Sequence, residues 1–127
     1  MKKINIDMFD QVIYAFDSNK SVEKYCERNG YILSDNIRDV ASSSDGYVAV
    51  LSSEPNDDDI SHSIIIMVVT SNSLPLIVHE CVHAAIFLLD LVGISVSPEE
   101  QEPVAYLTEY IFKSYCKKFK LLDESHL

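Results

Sequence analysis

The sequence predicts one α+β domain with the element order β-α-β-β-α-α. Two observations predict this class: short β-branched and aromatic runs occupy the N-terminal half, and two long helical segments occupy the C-terminal half. The chain has 127 residues, which is enough for one hydrophobic core of ordinary size and too few for two. We therefore expect a single domain over residues 1–127.

Three strands are predicted from runs of apolar, β-branched and aromatic residues between turn signals. They are Gln11–Phe16, Tyr47–Ser52 and Ser63–Thr70. The last run is apolar almost throughout, which indicates burial on both faces. Ser18–Gly30 is expected to form a helix, because serines stand near its start and a glycine stands at its end. Asp35–Ser44 and Pro55–Asp59 are polar and rich in turn residues, so we expect loops there, and Asp45-Gly46 is a turn signal that would begin a hairpin.

A long helix is predicted over Leu76–Leu91. Ser73 suits its N-cap, Pro75 suits its first turn, and Gly93 follows its last residue. The segment is apolar almost all round, which is typical of a helix at the centre of a fold.

A second helix is expected to follow and to end near Lys120. Ser97 and Glu100 have the spacing of a capping box, which would place the start at Pro98. Pro103 would break a helix that ran straight through from there, because it lacks the backbone donor. The sequence therefore predicts either a loose first turn or a start at Pro103.

Composition excludes several classes of partner and compartment. Twenty acidic and ten basic residues give a net charge of -10, which repels phosphate backbones and anionic lipids. We expect no binding to nucleic acid or to membranes, although an acidic surface also suits a mimic of DNA. Cys26, Cys81 and Cys116 are odd in number and widely spaced, so we expect buried thiols and a cytoplasmic protein without a signal peptide.

The chemistry of the chain is concentrated in His79-Glu80-Cys81-Val82-His83, which has the H-E-x-x-H pattern of zinc metalloproteases. Histidines four residues apart lie on one face of a helix, where their rings can converge on one ion. Glu80 lies about 100° round the helix from His79, so its carboxylate is expected to reach a water bound to that ion. Zinc lowers the pKa of such a water toward about 7, which allows a carboxylate to take its proton.

A third zinc ligand is expected from the helix that follows. One line of that helix at helical spacing is expected to face the core because of its alanine, phenylalanine and cysteine. Its members are Glu102, Ala105, Glu109, Phe112 and Cys116. We favour Glu102 as the ligand and expect Glu109 to orient a histidine, with the reverse assignment left open.

Three further residues are considered for a role at the expected zinc site. Tyr106, one turn after Glu102, has a hydroxyl that could donate to an oxyanion, but a packing role is favoured. Asp90, two turns after His83, could assist the site or could be a solvated acid at a helix end. Cys81 is expected to point away from both histidines and into the core.

The chain resembles a small phage-encoded metallopeptidase family of the zincin class, with a downstream helical glutamate as in gluzincins. The similarity covers Leu76 to about Tyr115. The residues that carry it are Val78–Ala85, Glu102–Leu107 and Glu109–Ile111. The resemblance implies that His79, His83 and Glu102 bind zinc, that Glu80 is the catalytic carboxylate, and that a small sheet packs on the active-site helix. It also implies that the protein acts in the host cytoplasm.

We therefore expect a zinc-dependent metallopeptidase that acts on a peptide or protein. Ser63–Thr70 is expected to be the strand along which an extended substrate lies. Two alternatives stay open at this point: a metal-binding interaction protein without turnover, and an acidic DNA mimic that inhibits a host enzyme.

Overall fold

A four-stranded mixed sheet forms the middle layer of the protein in the computed structural model, which describes residues 1–122. The strands are β1 (Lys2–Ile6), β2 (Gln11–Phe16), β3 (Gly46–Ser52) and β4 (Ser63–Val69). Their spatial order is β1-β2-β4-β3, with β2 parallel to β4 and the two outer pairs antiparallel. β4 is therefore an interior strand, and β1 and β3 are the two edges.

Within residues 1–122, four α-helices complete the fold, and a short 3-10 helix at Asp7–Phe9 joins the first two strands. The helices are α1 (Asn19–Asn29), α2 (Asp35–Ser43), α3 (Leu74–Leu91) and α4 (Glu102–Lys118). The α+β class is confirmed. The observed order, β-β-α-α-β-β-α-α, adds one strand and one helix to the order expected from the sequence.

The first added element is α2, so the prediction of loops over Asp35–Ser44 is wrong. The Ser34 hydroxyl accepts a hydrogen bond from the Ile37 amide at 3.3 Å and caps the helix. Ile37 and Ala41 then pack against the core beneath the sheet. Only these few apolar contacts distinguish α2 from a surface loop, because it contains no fully buried residue.

The second added element is β1, which pairs with β2 along its whole length, Ile4 opposite Ile13. Ile4 and Ile6 are buried, whereas the residues between and before them are exposed. This alternation is the period of a strand with one face on the core.

Two hydrophobic cores lie on the two faces of the sheet. Ile65, Met67 and Val69 of β4 point toward α3 and α4, and Ile66 and Val68 point toward α1 and α2. Burial of β4 on both faces is thereby confirmed. The expectation that the three cysteines are buried free thiols is also confirmed.

α3 is held at the centre of the first core. Its N-cap is Ser73, whose hydroxyl accepts from the Leu76 amide at 3.4 Å, and Gly93 follows its end in the left-handed conformation, as the sequence predicts. By length and composition alone α3 could cross a membrane, with a mean hydropathy of 1.7. In the folded chain it packs on β3, β4 and α4, which is the environment of a core helix.

α4 begins at Glu102, with Pro103 in its first turn. The capping box expected from Ser97 and Glu100 is wrong, because the Glu100 amide donates instead to the Ser97 carbonyl at 3.0 Å in an isolated bridge. The helix packs on α3 and β1. Its buried residues are Leu107, Ile111, Tyr115 and Cys116.

Candidate metal centre

Three side chains from a single segment of α3 converge at its surface. The ligand atoms of His79, Glu80 and His83 all lie within 4.8 Å of one another, and no other group of this kind occurs within residues 1–122. The two Nε2 atoms of the histidines are 3.1 Å apart. Glu80 Oε1 is 3.8 Å from Nε2 of His79.

Helical geometry explains why these side chains meet. His79 and His83 are four residues apart, so their rings meet on one face of the helix, edge to face, with centroids 4.7 Å apart. Both histidines are exposed, whereas Glu80 is only 4% exposed and belongs to the buried face of α3. The group therefore straddles the boundary between solvent and core, with its nitrogens outside and its carboxylate inside.

Close approach of β3 encloses the Glu80 carboxylate. A Cβ atom placed on Gly46, the first residue of β3, would lie 3.0 Å from Cγ of Glu80 and 3.3 Å from its carboxyl carbon. A side chain at this position would contact Glu80 tightly, so the glutamate would have to shift by a few tenths of an ångström. From the sequence we read Gly46 only as a turn signal, since nothing in the sequence shows which residue a strand brings against a helix.

The Asp45 carbonyl fixes the start of β3 beside Glu80. It accepts hydrogen bonds from the Thr70 amide at 2.8 Å and from the Thr70 hydroxyl at 3.1 Å. Because Thr70 directly follows β4, these bonds tie Gly46 to the strand that leads into α3. The backbone around the carboxylate is thus held by the sheet itself.

The carboxylate of Glu80 is incompletely paired. Its Oε2 atom is buried and accepts no hydrogen bond from any residue of 1–122. Burial raises the pKa of Glu80, and the two histidines partly oppose this shift. An unpaired buried carboxylate oxygen destabilises a fold, so its presence calls for a ligand or a functional reason.

The spacing of the two histidine nitrogens is compatible with a tetrahedral metal ion such as zinc. Two nitrogens that each lie 2.0–2.1 Å from one tetrahedral zinc are about 3.3 Å apart, close to the 3.1 Å that separates the histidine nitrogens. A water on such an ion would offer a proton to the orphaned Glu80 oxygen. His79 and His83 are therefore suited to hold zinc, and Glu80 is suited to accept from the water beside it.

The glutamates of α4 lie elsewhere than expected. Glu109 has a side chain that is 62% exposed, and its Oε1 pairs with Nζ of Lys113 at 3.0 Å. Glu102 is exposed in the first turn of the helix. Neither belongs to the group that gathers at the histidines.

The prediction that Glu102 and Glu109 face the core is wrong. The core-facing line of α4 instead runs through Leu107, Ile111 and Tyr115, one turn apart. Cys116 lies beside Cys81, whose pKa is raised to about 12 by burial first and then by this second thiol. Glu102 precedes Cys116 by about four helical turns, roughly 21 Å along the axis. The structure thus places the start of α4 far from the turn of α3 that carries the histidines.

The other three candidate residues, Cys81, Tyr106 and Asp90, lie in different parts of the structure. Cys81 is fully buried and points into the core, as expected. Tyr106 is 57% exposed and lines a hollow with Ile6 and Met8, beside the edge strand β1 and away from β3. Asp90 lies in the last turn of α3 and borders a cavity with Phe87. Of these three, only Asp90 shares the flank of α3 that carries the histidines.

The strand expected to receive a substrate is also different. β4 is hydrogen-bonded to β2 on one side and to β3 on the other, so its backbone has no free edge and that prediction is wrong. β3 is the edge strand on the side of Glu80. Any extended segment that adds to the sheet next to the histidines would have to pair with β3.

Comparison with protein-family models, with curated proteins and with solved structures finds no match to this chain. The resemblance to phage-encoded zincins therefore stays a prediction.

Replacing Glu80 by methionine should raise the stability of the metal-free protein. Methionine has a similar volume and no unpaired oxygen, so Glu80→Met should increase the free energy of unfolding by about 1–3 kcal/mol at pH 8. Urea unfolding measures the change, and Glu109→Met, at an exposed position, should stay within about 0.5 kcal/mol of the wild type.

The pH dependence of this gain has a defined sign. Because the folded state holds the Glu80 proton at pH values where the unfolded state has released it, the stability of the wild type falls as pH rises through that window. The advantage of Glu80→Met should therefore grow from pH 4 to pH 8. An advantage that shrinks over this range would show that the carboxylate is stabilised, not penalised, by its surroundings.

Proposed function

We propose that this chain is a zinc-dependent metallopeptidase with a zincin-like site on α3. The observation that carries the proposal is the buried carboxylate of Glu80, with one unpaired oxygen, beside two exposed histidines whose nitrogens are 3.1 Å apart. A purely structural group of this composition would be expected to pair its polar atoms fully. A role in proton transfer would explain why this Glu80 oxygen has no hydrogen-bond partner.

Each of the three side chains has a distinct role in this proposal. His79 and His83 hold the metal through Nε2, because these are the atoms that converge. Zinc, when bound, supplies a Lewis acid and lowers the pKa of its water toward about 7. Glu80 would accept a proton from a water held beside the histidines and would return it to the departing amine.

The surroundings of Glu80 suit a general base at neutral pH. Burial raises the pKa of its carboxyl group, which makes the carboxylate a stronger proton acceptor than an exposed glutamate. Gly46 confines the side chain without donating to its oxygens. The carboxylate therefore stays next to the histidines and remains available to accept a proton.

A second function is favoured by one observation. Catalytic zinc sites ordinarily have three protein ligands, and within residues 1–122 only Glu80 joins the two histidines. If Glu80 itself binds the metal, the chain is a metal-binding interaction protein without turnover. The behaviour of Glu80 variants distinguishes this role from catalysis.

Zinc binding should depend on both histidines. His79→Ala and His83→Ala should each remove most of the bound zinc, because each deletes one of the two nitrogen ligands. Elemental analysis of the purified proteins measures the loss. Zinc should also raise the melting temperature of the wild type, and His62→Ala, at an exposed position outside the site, should keep both properties. A wild-type melting temperature that ignores a strong chelator would contradict a tight site.

Glu80→Gln should separate the base from a ligand. The amide fills the same space but cannot accept a proton as a carboxylate does, so the variant should retain zinc and lose hydrolysis of a degenerate peptide library. Mass spectrometry of the library and elemental analysis of the protein give the two readouts. Loss of zinc together with activity would assign Glu80 as a ligand and favour the binding protein.

The position of α4 predicts a small effect of its first glutamate. We expect Glu102→Gln to leave the zinc dissociation constant within about twofold, since exposed carboxylates at this distance contribute little. Glu109→Gln, at the exposed pair with Lys113, is the matched control. A large loss of affinity in Glu102→Gln alone would show that the first turn of α4 moves to the metal when zinc binds.

A further inference from the structure

The cavity that Asp90 and Phe87 border lies along α3, beyond the histidines. It has a volume of about 400 Å³ and lies between the C-terminal half of α3 and the adjoining strands of the sheet. Val50, Phe87 and Leu91 form apolar walls, and they are 43%, 39% and 58% exposed. Large apolar side chains that remain this accessible around a concave surface are typical of a binding site.

The cavity continues the flank of α3 that carries the metal-binding group. Phe87 lies one turn after His83, about 6 Å along the helix axis, and Asp90 lies about 10 Å after it. β3 runs beside this part of α3, and alternate residues of the strand face the helix. Gly46 thus lies against Glu80, and Val50 lies at the cavity. Both places therefore lie along one flank of α3, and residues of β2 and β4 complete the cavity.

The charged residues that line the cavity are all acidic. Asp10 and Asp90 are among its lining residues, and none of the lining residues is a lysine or an arginine. Within residues 1–122, neither carboxylate forms a salt bridge or a side-chain hydrogen bond. Asp90 also lies in the last turn of α3, where the helix dipole disfavours an acid. The cavity thus combines apolar walls with two carboxylates that form no salt bridge within residues 1–122.

We propose that this cavity binds a lysine or arginine side chain of the peptide substrate, two or three residues from the bond that is cleaved. The inference rests on the proposed function. The aliphatic stem would lie against Val50, Phe87 and Leu91, and the cationic end would reach Asp10 and Asp90. The spacing follows from an extended peptide, which rises about 3.3 Å per residue over the 6–10 Å between His83 and the cavity.

Other side chains fit the cavity less well. An acidic side chain would meet two carboxylates of its own sign, and a wholly apolar one would cover them without supplying an opposite charge. Only a long basic side chain satisfies the walls and the charges together. This makes Asp10 and Asp90 residues that determine specificity.

Peptide titration of the metal-free protein tests the inference without relying on turnover. Acetyl-Ala-Lys-Ala-amide, and its norleucine and glutamate counterparts, are added to isotopically labelled protein and followed by NMR. The lysine peptide should bind most tightly and should shift the amide signals of Tyr14, Val50 and Phe87. The glutamate peptide should bind most weakly, and added salt should reduce the preference for lysine.

Two conservative variants locate the charge. Asp90→Asn, and Asp10→Asn at a left-handed residue that asparagine tolerates, should each weaken binding of the lysine peptide by about two- to fivefold. Neither should change binding of the norleucine peptide. Asp39→Asn, on α2 at the opposite face of the sheet, should leave every affinity unchanged.

The outcomes separate this inference from the proposed function. Equal affinities for the three peptides, or an Asp90→Asn variant that binds lysine as the wild type does, would overturn it while leaving zinc binding and hydrolysis untouched. Lysine-selective binding in a protein that never hydrolyses a peptide would support the cavity's specificity and defeat only the metallopeptidase proposal.

Discussion

Contact between the Glu80 side chain and the first residue of β3 is the constraint on which the site depends. α3 has to bury one face against the sheet to hold the larger core together, and Glu80 lies on that buried face. The absence of a side chain at Gly46 leaves room for the carboxylate in its observed position. The histidines, on the adjoining exposed flank, are then brought to a fixed distance from a carboxylate that solvent does not compete for.

This arrangement concentrates an energetic cost at one point of the fold. The orphaned Oε2 atom opposes folding, whereas the residues around it are ordinary apolar groups that favour it. Folded domains tolerate such a group when the rest of the structure determines its position, and those groups cluster at functional sites. In this chain the determinants are the paired strands β3 and β4 and the bonds between Asp45 and Thr70.

The elements that the sequence predicts correctly are those that local sequence signals determine. α3 follows from a serine cap, a proline in the first turn and a terminal glycine, and the convergence of His79 and His83 follows from their spacing alone. β4 follows from an unbroken apolar run. α2 was missed because its apolar residues are few among many polar ones, and β1 was missed because its alternation covers only two buried isoleucines.

The residues that the sequence misplaced depend on contacts between distant segments. α4 carries two overlapping lines at helical spacing, one through Leu107 and Ile111 and one through Glu102 and Glu109. The second is expected to face the core because of its alanine, phenylalanine and cysteine, but its two carboxylates would then be buried without partners. Burial follows the first line, which has no charge to compensate. Gly46 was missed for a related reason, since its role exists only once β3 lies against α3.

The open side of the site determines where selectivity has to come from. Within residues 1–122, the exposed flank of α3 around the histidines is covered by no other element, and Val82 and Ile86 remain 37% and 40% exposed there. Under the proposed function, a substrate held at the histidines would also reach the acidic cavity near Asp90, which lies further along the same flank of α3 and is lined by residues of β2, β3 and β4. Recognition and the candidate chemistry would then share one helix.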